Sequence, residues 1–120
     1  MPAGYTIEQN RKLVVSRLWG TVTEDDVSDH NRKLRRDPLF DPGYQQLTDL
    51  REVTATQVRS RVVRDTAHDQ YFKPGVKRAF VAHTDFIFAL ARMFATAAET
   101  EGQLIEVFRD IADAEKWLGL

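Results

Sequence analysis

The chain has 120 residues, 42% hydrophobic and 29% charged, with no cysteine and a formal net charge of -1. This length suits one domain over residues 1–120 and is short for a two-lobed enzyme with a cleft between its lobes. Near-balanced charge argues against a dedicated nucleic-acid or membrane-surface binder, and the lack of cysteine excludes disulfides, zinc-thiolate sites, iron-sulfur clusters and thiol catalysis.

Tyr5–Glu8 and Leu13–Trp19 are rich in β-branched and aromatic residues, and Gln9-Asn10-Arg11-Lys12 between them has turn chemistry, so the chain opens on a hairpin. Gly20 is expected to break the second strand. Thr23 stands three residues before Asp26, a short-armed capping box, and predicts a helix to about Arg36, acidic in its first turn and basic in its last. Asp37-Pro38 stops it. After the Asp41-Pro42-Gly43 turn, Tyr44–Leu50 reads as a third strand. Thr56 to about Gln70 repeats apolar residues at Val58, Val62, Val63 and Ala67, the pattern of an amphipathic helix. Val76–Ala82 is the fourth strand. A helix capped by Thr84 or Asp85 runs to about Thr100, with Gly102 behind it. Leu104–Phe108 is the fifth strand, and Asp110 caps a last helix that Gly119 ends.

The resulting order, ββαβαβαβα, predicts an α/β fold with a mixed five-strand sheet, parallel except for the opening hairpin. Ser16, Arg17, Gln46, Thr48 and Glu106 put polar side chains inside strands. A sheet buried on both faces reads as continuous apolar runs, so part of one face is expected to be wet or covered by a partner. No repeat or linker marks an internal boundary. Met1–Gly4 lack a basic run followed by an apolar stretch, and Phe86–Ala98, interrupted by Arg92, falls short of the ~20 residues that span a bilayer. A cytoplasmic protein without a membrane span is the expectation.

Several segments, in this order, resemble the STAS/SpoIIAA-like group, and its uncharacterised branch in particular. They are Leu18-Trp19-Gly20-Thr21-Val22-Thr23, Leu47-Thr48-Asp49-Leu50-Arg51-Glu52-Val53-Thr54, Arg78-Ala79-Phe80-Val81, Ala91-Arg92-Met93-Phe94, and Val107-Phe108-Arg109-Asp110 through Trp117-Leu118. The resemblance implies a SpoIIAA-like fold and a non-catalytic regulatory or protein-interaction module. In the anti-sigma-factor antagonists of that group an Asp-Leu-x-x-Val strand end leads into an Asp-Ser-Ser-Gly turn with a phosphorylated serine. Asp49-Leu50-Arg51-Glu52-Val53 matches the first part, but Thr54-Ala55-Thr56-Gln57 replaces the turn, leaving Thr54 or Thr56 as the only stand-in hydroxyls.

Ligands of open α/β sheets gather beyond the carboxyl ends of the parallel strands. Asp49, Arg51, Thr54, Thr56, His83 and Asp85 are therefore the binding or regulatory candidates, with helix capping as the competing role for Thr54, Thr56 and Asp85. Phe86, Phe88 and Met93 extend the apolar surface of their helix beyond the stripe that a sheet needs. They are candidates for contact with a protein partner or a second copy in a homodimer. Together with Arg92 as a charged anchor they are alternatively the lining of a site for a small apolar or acidic, lipid-like ligand. No catalytic residue, metal site or cofactor is expected. Glycines occur singly, no His-x-x-x-His or paired-carboxylate spacing is present, and His30, His68 and His83 lie far apart. Arg35, Arg36, Arg59, Arg61 and Arg64 are interleaved with acids, so no nucleic-acid partner is expected.

Overall fold

In the computed structural model, which describes residues 2–69 and 71–120, Ala3–Glu8 (β1) and Leu13–Val22 (β2) form the expected hairpin around a 3-10 turn at Gln9–Arg11. Glu24–Arg36 (α1), Gln45–Thr56 (β3), Ser60–Ala67 (α2), Lys77–Val81 (β4), Asp85–Glu99 (α3), Leu104–Phe108 (β5) and Ile111–Leu118 (α4) follow. The strands lie in the order β1-β2-β3-β4-β5, with β1 antiparallel and the rest parallel, so the mixed five-strand α/β sheet is as predicted. Sequential order with crossovers of one hand puts α1, α2 and α3 on one face. The last helix, α4, packs on the other.

Local chemistry sets the helix starts. Thr23 Oγ1 accepts from the Asp26 amide at 3.2 Å and the Asp26 carboxylate accepts from the Thr23 amide at 2.8 Å, so the short-armed capping box is complete. Thr84, rather than Asp85, caps α3 by accepting from the Ile87 amide. Asp110 caps α4, and Gly119 ends it at φ 81° in the left-handed region that glycine enters without a Cβ clash.

Three boundaries depart from the sequence reading. Gly20 does not end β2: at φ 65° it sits beside a register shift against β3, and the strand continues to Val22. β3 runs past Leu50 to Thr56 because β2 offers backbone partners that far, Val22 pairing with Thr56. The segment from Asp49 to Thr56 is thus strand, not a loop. α2 begins at Ser60, and neither Thr54 nor Thr56 caps it; the Thr56 hydroxyl instead accepts from the Val58 amide and donates to the Val22 carbonyl. The expected end of that helix at Gln70 lies outside the described residues; the helix closes at Ala67.

Side chains alternate across the strands. On one face Leu13, Leu47, Ala79 and Val81 meet Ala114 and Leu118 of α4 in a closed apolar cluster. On the other, Ala91, Ala95 and Ala98 bring α3 close to Ile105 and Val107 of β5, while Leu34 of α1 packs with Val14 and Phe72. The expected wet face needs correction for three residues. Ser16, Gln46 and Thr48 are 0%, 2% and 4% exposed and look inward toward the helices, whereas Arg17 and Glu106 are exposed.

Candidate functional site

Between β2, β3 and β4 and the three helices lies a cavity of about 160 Å³. Leu18, Leu50, Phe80, Leu90, Ala91 and Phe94 make much of its wall, and Gln46, Thr48 and Arg78 bring polar atoms to its floor. The floor residues follow from strand alternation: Gln46 pairs with Arg78 and Thr48 with Phe80 across β3 and β4, all on the face toward the helices.

Gln46 and Arg78 belong to one hydrogen-bonded chain with a single polarity. His30 Nδ1 and the Tyr71 hydroxyl both lie 2.9 Å from Asn31 Oδ1, an oxygen that only accepts, so Nδ1 carries the proton. Burial pulls the His30 pKa below its ordinary value and keeps the ring neutral. Its Nε2 then accepts from the Ser16 hydroxyl at 3.0 Å. Ser16 Oγ accepts from Gln46 Nε2, and Gln46 Oε1 accepts from Arg78 Nε, each at 3.0 Å. Ser16, His30 and Asn31 have the atoms of a nucleophile, a base and an orienting group. However, Ser16 is fully buried, does not line the cavity and already both donates and accepts, so it links strands rather than facing a substrate.

Arg78 is 6% exposed. Its guanidinium lies 4.4 Å from the Phe72 ring centre and about 6 Å from those of Tyr71, Phe80 and Phe94, and Nη1 donates to Gln103 Oε1 at 3.0 Å. Gln103 is held in turn by the Phe72 carbonyl. Burial pushes the Arg78 pKa down to about 10, which leaves it charged at neutral pH. Among the described residues no carboxylate bonds to it, and Nη2 makes no hydrogen bond. Thr48 Oγ1, also in the cavity wall, is buried without a hydrogen-bond partner.

The cavity meets the surface at the seam between α1 and α2. Val27, Asn31, Thr66 and Asp69 line both the cavity and an outer cleft that also holds Glu24, Arg32, Arg35 and Arg36. Two exposed ion pairs clip this seam at its ends. Arg59 holds Glu24 in a paired contact at 2.9 Å, drawing the Glu24 pKa down to about 2 through its hydrogen bonds. Arg35 meets Asp69 at the other end.

The residues singled out by sequence lie elsewhere, apart from Thr56, which borders the cavity. Arg51 donates twice to Asp49 at 2.9 Å, holding that carboxyl below its ordinary pKa, on the face opposite the cavity. Thr54 is exposed. His83 and Asp85 are gathered by Arg109, which donates to the His83 carbonyl at 3.3 Å and pairs with Asp85 at 2.8 Å. Arg92 is exposed on α3 and does not line the cavity, so it is not its anchor. The expected excess of apolar surface shrinks to one residue. Phe86 is 63% exposed, but Arg109 covers Phe88 at 4.2 Å from its ring and Met93 is half-buried beside Arg64. Sequence reasoning missed Arg78, His30, Asn31 and Gln103 as site residues; the usable signal was the polar set Ser16, Gln46 and Thr48 at alternate strand positions.

Among the described residues no cluster of His, Asp and Glu is arranged to hold a metal ion, and no helix is long and apolar enough to cross a membrane. No protein-family model matches the sequence, and no curated protein matches it significantly. The structure is similar to the crystal structure of an uncharacterized DUF3478-family protein from Shewanella loihica PV-4 with a SpoIIAA-like fold. The TM-score is 0.62 at 17% sequence identity, over 97% of this chain and 93% of that one. The sheet order, the helix placement and this likeness agree: the chain has the SpoIIAA-like fold.

Proposed function

We propose that the chain is a non-catalytic binding module that takes up a small, largely apolar molecule between its sheet and α1–α3 and serves as a carrier or sensor of it. The observation that carries this reading is the cavity itself, about 160 Å³ with a mainly apolar wall and a seam to the surface. Domain interiors are otherwise close-packed. At about 24 cal/mol per Å³, filling a hollow of this size is worth on the order of 4 kcal/mol. A cytoplasmic location, expected from the cysteine-free composition, is part of the proposal.

Titration of the isotope-labelled protein with toluene, followed by amide NMR, tests it. Saturable shifts centred on Leu50, Leu90 and Ala91 are expected, and Ala91→Phe, which fills the space, abolishes them. Native mass spectrometry of protein from its host is expected to retain a small molecule. No saturable shift and no retained mass overturn the reading. A second reading, a regulatory module that docks a protein partner or forms a homodimer, is supported by the exposed Phe86 next to Asp85 at the start of α3. Sedimentation of wild type and Phe86→Ser separates the two: association lost on substitution supports docking there, and a monomer in both removes it.

A further inference from the structure

We propose that the cavity selects a small monocarboxylate, with the Arg78 guanidinium and the Thr48 hydroxyl taking the carboxylate and Phe80, Leu90, Ala91 and Phe94 the apolar body. This rests on the reading of the cavity as a ligand site and names the class of ligand. The argument begins with charge. Arg78 is a buried cation that bonds to no acid among the described residues, and an isolated buried charge is costly. The surrounding aromatic faces offset part of that cost and no more.

Donor geometry makes the choice narrower. A guanidinium has five N–H groups. Gln46 takes one on Nε and Gln103 one on Nη1, which fixes the plane and leaves both N–H groups of Nη2 and one of Nη1 without a partner among the described residues. Planar N–H groups of this kind match the oxygens of a carboxylate. Thr48, one step along the same floor, has the only buried side-chain polar atom among the described residues that lacks a partner, and its hydroxyl is a further donor for such an oxygen.

Charge count and volume set the size and valence. Among the described residues Arg78 is the sole charged cation in the cavity wall, since His30 is held neutral, and Asp69 at the rim is engaged by Arg35. A monoanion balances it, and a phosphate dianion does not. A dry cavity of ~150 Å³ holds benzene, so about 160 Å³ suits an acid of roughly six to ten non-hydrogen atoms, such as benzoate or hexanoate, and not a long fatty acid.

Calorimetric titration of the full chain with benzoate, benzyl alcohol, toluene, hexanoate and dodecanoate tests the proposal. Benzoate is expected to bind about tenfold or more tighter than benzyl alcohol, as a charge-assisted hydrogen bond implies, and hexanoate tighter than dodecanoate. Arg78→Met loses benzoate and keeps toluene. Thr48→Val, a near-isosteric change, weakens benzoate by about tenfold with toluene unchanged, and it keeps the test decisive if Arg78→Met fails to fold. Equal affinity for benzoate and benzyl alcohol, or benzoate binding indifferent to Thr48→Val, overturns carboxylate selection while leaving the cavity reading standing. Dodecanoate binding as tightly as hexanoate overturns the size assignment. Binding of none of these compounds, toluene included, removes the cavity reading itself.

Discussion

The two faces of the sheet are built from alternate residues of the same strands and have opposite characters. Toward α4, Leu13, Leu47, Ala79 and Val81 close on Ala114 and Leu118 in a filled apolar cluster. Toward α1–α3, their strand neighbours Gln46, Thr48 and Arg78 line a hollow, and the chain of amides and hydroxyls through Ser16 reaches His30. One short helix is enough to seal a face of small and branched apolar residues. On the opposite face α2 packs on α3 and α1 on β1, and that split leaves the space between them. The first face supplies cohesion. The second holds buried polar groups, which are costly unless partnered, and among the described residues the Thr48 hydroxyl is the one left without a partner.

The largest expected effect comes from truncating the closed face. Leu13→Ala removes a fully buried side chain from a filled cluster and is expected to cost about 3 kcal/mol in urea denaturation, within the range of such core truncations. Leu90→Ala, a half-buried change in a wall that already faces free volume, is expected to cost about 1 kcal/mol. Equal losses at the two sites would erase the distinction between the faces.

A middle-sized effect is the response to mild acid, which the cavity face carries through His30. Burial lowers the folded-state pKa of His30 below its ordinary 6.5, so the unfolded chain takes up the proton first. Stability is therefore level above about 6.5 as far as this group is concerned and declines as the pH falls from there toward the folded value. Urea midpoints between pH 5 and 7.5 should show the decline in wild type and a flatter profile in His30→Gln. An unchanged slope in the variant would move the sensitivity to another group.

The smallest effect is expected at the seam. Asp69→Asn breaks the exposed pair with Arg35 and should change stability by under about 1 kcal/mol. It should nevertheless speed exchange of any small molecule bound inside, read as line broadening in NMR, because the clip lies where the cavity meets the surface. Exchange unaffected by this change would place the opening elsewhere.

Much of this fold is legible in the sequence because its signals are local. Thr23 and Asp26 form their box, Asp110 and Gly119 bracket α4, and the alternation of elements dictates the mixed sheet. The end of β3 was not legible. Its last residues are held by β2, more than thirty positions earlier, and a strand prolonged by its neighbour carries no mark of its own. The site was legible in part. Polar residues at alternate positions announced that one side of these strands is unusual, but helices cover both sides, and periodicity alone does not say whether the polar row meets water or an interior. Arg78 was the hardest, since in sequence it is the second of two basic residues at the start of an apolar run. Its burial depends on Gln46 and Gln103, 32 and 25 positions away.

The sequential strand order has a consequence for synthesis. Each strand pairs only with neighbours adjacent in the chain, so the sheet can be extended in the order in which its strands are made, without waiting for a distant partner. The helix α4 follows all five strands. Leu13, Leu47 and Val81 therefore remain uncovered on the growing sheet until α4 has been made, and at translation rates of about 5–20 residues per second that interval lasts for seconds. During it the nascent chain presents the very row of apolar residues that later holds the finished domain together, and a chaperone that shields apolar surface would find its target there.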